Sequence, residues 1–121
     1  MTLRRGEIYL VKFPYTFDPR HLEGKNKFIL ILQGERFSEY NSVVVLLLTS
    51  NPESKNFETN VTIEQGQTEL RKESYVICAQ PYTILKSLIA EDTLCVGRLS
   101  NERMDEVDAK LFIGLGMGSY N

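Results

Sequence analysis

No apolar run in this 121-residue chain approaches the roughly 20 residues needed to span a bilayer. The opening Met1-Thr2-Leu3-Arg4-Arg5 leads into strand-forming residues, not into the apolar centre of a signal peptide. Cysteine is scarce: Cys78 and Cys95 are too few for a disulfide framework or a thiolate zinc site, and both are expected as small buried thiols on strands. These absences predict a cytoplasmic chain with no membrane contact. One histidine, with no Asp/Glu cluster at ligand spacing, gives no reason to expect a metal. Glycines form neither a phosphate-binding loop nor a dinucleotide fingerprint, and no Gly-x-Ser-x-Gly elbow occurs, so no cofactor is expected. Internal repeats, low-complexity tracts and linkers are lacking too, and residues 1–121 read as one domain with a modest core. Any chemistry then falls to Lys, Thr, Ser, His or Arg.

The net charge of −2 hides an asymmetry. Residues 1–36 carry seven Lys/Arg against four Asp/Glu, and the remainder carries seven against twelve. An anionic ligand would be met by the N-terminal part, while the acidic total argues against a broad nucleic-acid surface.

What is present is mostly strand. Val43-Val44-Val45-Leu46-Leu47-Leu48 runs six aliphatic residues without a polar break, then gives way to Thr49-Ser50-Asn51. An amphipathic helix would interrupt such a run and a half-exposed strand would alternate, so it predicts a central strand buried on both faces. Burying each Val or Leu is worth roughly 1.5–3 kcal/mol, which makes this segment the organising element. Thr49 emerges at its rigid end.

Around it, Gly6 to Phe13, Phe28 to Leu32, Asn60 to Glu64, Ser74 to Gln80 and Thr93 to Arg98 carry strand formers. Tyr15 to Lys27 reads as a long loop holding His21, Lys25 and Lys27, and Asn51 to Thr59 as a polar loop. Thr83 to Ile89 suggests a helical turn. Ser100 is placed to cap a terminal helix with Met104, Val107, Leu111, Phe112 and Leu115 along one face. The sum is a small, mainly β domain with an amphipathic helix plugging an open side.

In order and spacing, Arg5-Gly6-Glu7-Ile8-Tyr9, Lys27 before an aliphatic strand ending at Gln33, Leu48-Thr49-Ser50, Glu73-Ser74 with Gln80 and Thr83, and the helix of Met104-Asp105-Glu106-Val107-Asp108 resemble the PemK/MazF family of toxins over nearly the whole chain. The resemblance implies an SH3-like barrel with a C-terminal helix, a homodimer, and a metal-independent endoribonuclease cutting single-stranded RNA and silenced by a cognate antitoxin. It implies a catalytic pair at Lys27 and Thr49, with Lys27-Phe28 standing where the family has Arg-Pro. Tyr82 and Leu85 likewise stand where the family carries Arg and Asp around Thr83.

Thr49 would hydrogen-bond the scissile phosphate, and Lys27 would neutralise it and protonate the leaving oxygen, an amine being a poor base unless desolvated. An ammonium supplies charge but not the planar, bidentate fork of a guanidinium. Substrate contacts are expected from His21 and Lys25 in the first loop, from the Ser50-Asn51 corner, and from Gln80 and Tyr82, whose ring could stack a base. Two other functions stay open at this point. One is an interaction protein of the same fold that inhibits DNA gyrase or only binds its antitoxin. The other is a barrel that holds nucleic acid without cutting it.

Overall fold

Strands form where β-branched and aromatic residues cluster. The computed structural model describes residues 2–14, 19–20, 24–34, 39–89 and 91–118. Its strands are β1 (Glu7–Phe13), β2 (Lys25–Ile31), β3 (Ser42–Thr49), β4 (Asn60–Ile63), β5 (Ser74–Ile77), β6 (Tyr82–Leu85) and β7 (Cys95–Arg98), followed by helix α1 (Asn101–Gly114). The seven strands make one antiparallel sheet in the order β4-β5-β3-β2-β1-β7, with β6 also on β3. The sheet curls into a barrel-like, mainly β fold with a C-terminal helix.

β3 is the hub, for the reason its composition suggests. One edge pairs with β2 from Ile31↔Val45 to Ile29↔Leu47. The other edge takes β6 along Ser42–Val45 and then β5 at Leu48 and Thr49. Its pleat feeds two cores. Leu46 and Leu48 pack with Ile8, Leu30, Val76 and Val107, while Val43 and Val45 pack with Val11, Phe13, Ile29 and Ile84. Apolar residues are needed on both faces, so no alternation shows in the sequence.

α1 begins where its cap predicts: Ser100 Oγ accepts the Arg103 amide at 3.2 Å. Met104 and Val107 are buried in the core with Leu111 packed against it. Arg103 reaches the Thr62 carbonyl of β4, and Arg5 donates to the Leu32 carbonyl at 2.6 Å while pairing with Asp108. These contacts seat the helix over the open side. The apolar stripe outruns the core, however: Phe112 and Leu115 are each 47% exposed.

Other differences from expectation have local causes. β2 starts at Lys25, so Lys27 is a strand residue and not a loop residue. Gly24 makes the turn with φ +106°, and a Cβ there would meet the Phe13 carbonyl oxygen at 2.7 Å, which brings the chain beside β1 early. The expected helical turn splits: Tyr82–Leu85 joins β3 as β6, driven by Ile84 at 1% exposure, and Lys86–Leu88 forms a 3-10 turn. Pro52–Asn56 is a short 3-10 helix within the expected polar loop. Cys78 is buried as expected, but Cys95 is exposed. Among the described residues, no helix is long and apolar enough to cross a membrane.

Candidate active site

The β2–β3 ladder stops at Ile29↔Leu47. Lys27 and Thr49 lie two residues beyond that last pair, on β2 and β3 respectively. Beyond the ladder the two strands turn to other partners. β2 stays with β1, where Lys27 pairs with Val11, and β3 goes to β5, where Thr49 pairs with Tyr75. A cavity of about 600 Å³ occupies this fork, and both Lys27 and Thr49 line it. Leu10, Phe28, Leu48, Leu70 and Val96 supply its apolar surface; Asn26, Ser50, Ser74, Glu69, Arg71 and Lys72 supply the rest of its polar surface.

Thr49 is prepared to donate. Its Oγ1 accepts the Asn51 amide at 3.2 Å, and the hydroxyl hydrogen is left for another acceptor. Lys27 is half-buried. Its ammonium is pulled below the usual lysine pKa first by burial and then by the positive charge of Lys25. That shift makes the neutral amine, a proton acceptor, more accessible than on a solvated lysine.

The cavity is electropositive: Lys27, Arg71 and Lys72 face one carboxylate, Glu69. The next carboxylate, Glu73, is engaged elsewhere. It accepts the Tyr75 hydroxyl at 2.6 Å and pairs with Lys55 at 3.6 Å. The Tyr75 hydrogen bond, with help from Lys55, holds the Glu73 carboxyl below its usual pKa. Among the described residues, no three His, Cys, Asp or Glu side chains gather as a metal site.

The remaining residues singled out from the sequence are dispersed. Ser50 lines the same cavity. Asn51 is spent on structure, its Oδ1 accepting the Glu53 amide at 3.1 Å to cap the 3-10 helix. Lys25 is exposed two residues along β2, paired with Phe13, and acts on the cavity through its charge on Lys27. Gln80 lines a separate cavity of about 260 Å³ with Phe57, Asn60 and Ile77. Tyr82 sets its ring edge-on to Phe13, centroids 5.0 Å apart, and packs with the second core. Among the described residues, neither Gln80 nor Tyr82 lines the cavity that holds Thr49. His21 lies outside the described residues.

Arg71 and Lys72 were not foreseen. The available signal was their adjacency just before β5, in the part of the chain where acids outnumber bases.

The curled, mainly β sheet thus brings a hydroxyl, an amine and a guanidinium to the lining of one cavity. The chain belongs to the PemK-like, MazF-like toxins of type II toxin–antitoxin systems, whose family signature matches residues 4–115. Solved structures agree in fold. An endoribonuclease from a mycobacterial species superposes with a TM-score of 0.73 at 19% identity, covering 100% of this chain and 97% of the other. A mycobacterial endoribonuclease in complex with its cognate antitoxin gives 0.68 at 19% identity over 96% and 95%. A MazE–MazF structure from Deinococcus radiodurans gives 0.72 at 15% identity over 97% and 98%.

Proposed function

We propose that this toxin is an endoribonuclease that cuts single-stranded RNA by attack of a ribose 2′-hydroxyl, with no metal required. The observation that carries this reading is that Lys27 and Thr49 line one cavity where β2 and β3 part. The 2′-oxygen bonds to phosphorus as its proton passes to the neutral Lys27 amine. The bond from phosphorus to the 5′-oxygen breaks, and that oxygen takes a proton back from the lysine. The products are a 2′,3′-cyclic phosphate and a 5′-hydroxyl. Thr49 donates to a non-bridging oxygen whose charge grows in the transition state. Membership in a toxin–antitoxin family and the endoribonuclease relatives support the assignment.

The proposal extends to partners. A cognate antitoxin with an acidic segment would cover the cationic cavity, and the toxin would act as a homodimer in the cytoplasm. Incubating the purified chain with single-stranded RNA in EDTA tests the activity. Cleavage ending in cyclic phosphates, lost in Lys27→Ala and Thr49→Ala, is the expected result; intact RNA counts against it. One observation favours a second reading, binding without cutting or inhibition of gyrase: Lys27 stands where the resemblance expects Arg. Recovery of a topoisomerase subunit with RNA left intact would favour that reading.

A further inference from the structure

Lys27 and Thr49 leave one strong group in the cavity unexplained. Arg71 sits on the segment between β4 and β5, and that segment is tied down on both sides of it. Leu70 is buried at 7% exposure, and the Glu69 amide donates to the Val96 carbonyl of β7 at 2.9 Å. Thr68 accepts the Leu70 amide at 3.1 Å and lies so close to β7 that a Cβ on Gly97 would come within 2.6 Å of the Thr68 Cβ. On the far side, Ser74 Oγ donates to the Lys72 carbonyl at 3.1 Å. The backbone carrying Arg71 is thus fixed at the rim of the cavity.

Its side chain, by contrast, is uncommitted. Among the described residues, the recorded ion pairs include Arg5–Asp108, Lys55–Glu73 and Arg103–Glu106, and none involves Arg71, Lys72 or Lys27. The nearby Glu73 is already satisfied by Tyr75 and Lys55. A planar fork of donors facing a hollow with an excess of positive charge fits the paired oxygens of a phosphate. Lys27 cannot offer that fork.

We propose that Arg71 is the guanidinium that grips the non-bridging oxygens of the RNA phosphate in this cavity, dividing the work so that Lys27 is free to move protons. The identity of the ligand rests on the nuclease reading above; the location of the grip does not. Arg71 is exposed, so substitution there leaves the core intact.

The test uses the full chain and a labelled single strand with 2′-O-methyl at every ribose, which 2′ attack cannot cut. Anisotropy titrations at several KCl concentrations give affinity and its salt slope. Arg71→Ala should weaken binding about tenfold and flatten the slope by about one phosphate's worth. Arg71→Lys should recover only a minor part of the affinity, because the charge returns without the fork. Lys110→Ala, which removes a charge from α1, should change binding less than about twofold by comparison. An Arg71→Ala variant that behaves like Lys110→Ala, or an Arg71→Lys variant that binds like the unsubstituted protein, overturns the proposal.

Unmodified RNA in parallel separates the two readings. Arg71-dependent binding with uncut RNA sinks the nuclease but keeps the grip. Cleavage and binding both indifferent to Arg71 sink the grip but keep the nuclease. Failure of the unsubstituted protein to bind the strand overturns both.

Discussion

In the proposed mechanism Thr49 acts as a donor, a role suited to an oxygen that already accepts one hydrogen bond. With the Asn51 amide bonded to Oγ1, the hydroxyl is oriented as a donor before any substrate arrives. Thr49→Ser should retain most activity. Thr49→Val, equal in shape but without the donor, should lower kcat by about 10²–10³-fold in single-turnover cleavage. In the proposed mechanism Lys27 carries the pH dependence. Burial and Lys25 disfavour its charged form, so the amine becomes a base as pH rises through a pKa below the ordinary lysine value. Removing the Lys25 charge in Lys25→Gln raises that pKa, and the rising limb of kcat/KM against pH should move to higher pH; a limb that stays put would show that Lys27 is not the base. These residues were partly legible. Lys27 and Thr49 stood out through an ordered resemblance and a strand end. Arg71 did not, because nothing local in Leu70-Arg71-Lys72-Glu73 shows that its segment is folded back onto β7. That contact joins residues far apart in sequence, Glu69 to Val96 and Thr68 to Gly97.

At the scale of elements, β3 sets the stability and Gly97 sets the geometry. Leu46 is fully buried in β3, and Leu46→Ala should cost about 2–5 kcal/mol in urea unfolding through lost burial and a residual cavity. Gly97→Ala tests something different. A methyl group there must push Thr68 away, shifting the segment that carries Arg71 without removing any charge. Cleavage should fall while much of the thermal stability persists; unchanged cleavage would show that the close approach of this segment to β7 has no bearing on the site. β3 was readable because a run of aliphatic residues ending in Thr49 has few alternatives. β6 was not, since Tyr82-Thr83-Ile84-Leu85 is too short to separate strand from helix by period. Pairing with Ser42–Val45 decides it. The Cys95 misreading is similar: alternation around it is weak, and only its place on the edge strand β7 exposes it.

The whole molecule is a curled sheet that opens at one fork and is closed by a helix at its side. Cys78 and Cys95 report on that shape. The Cys95 thiol is exposed, while burial pushes Cys78 up to about 12 and leaves it fully enclosed. Alkylation at neutral pH should modify Cys95 promptly and Cys78 only after unfolding. Prompt modification of both would contradict the enclosure of Cys78 in the core with Val76, Met104 and Val107. Light scattering at micromolar concentration should give the mass of a homodimer. The proposed functional centre is the cavity at the fork, where two side chains on neighbouring strands would work on one phosphodiester. Single-turnover cleavage of single-stranded RNA in EDTA, measured for Lys27→Ala, Thr49→Val and the double variant, tests this most directly. Each single change should slow cleavage by about 10²-fold or more, and the double change should do less harm than the product of the two. Full activity in either single variant, or losses that simply multiply, would contradict a shared site.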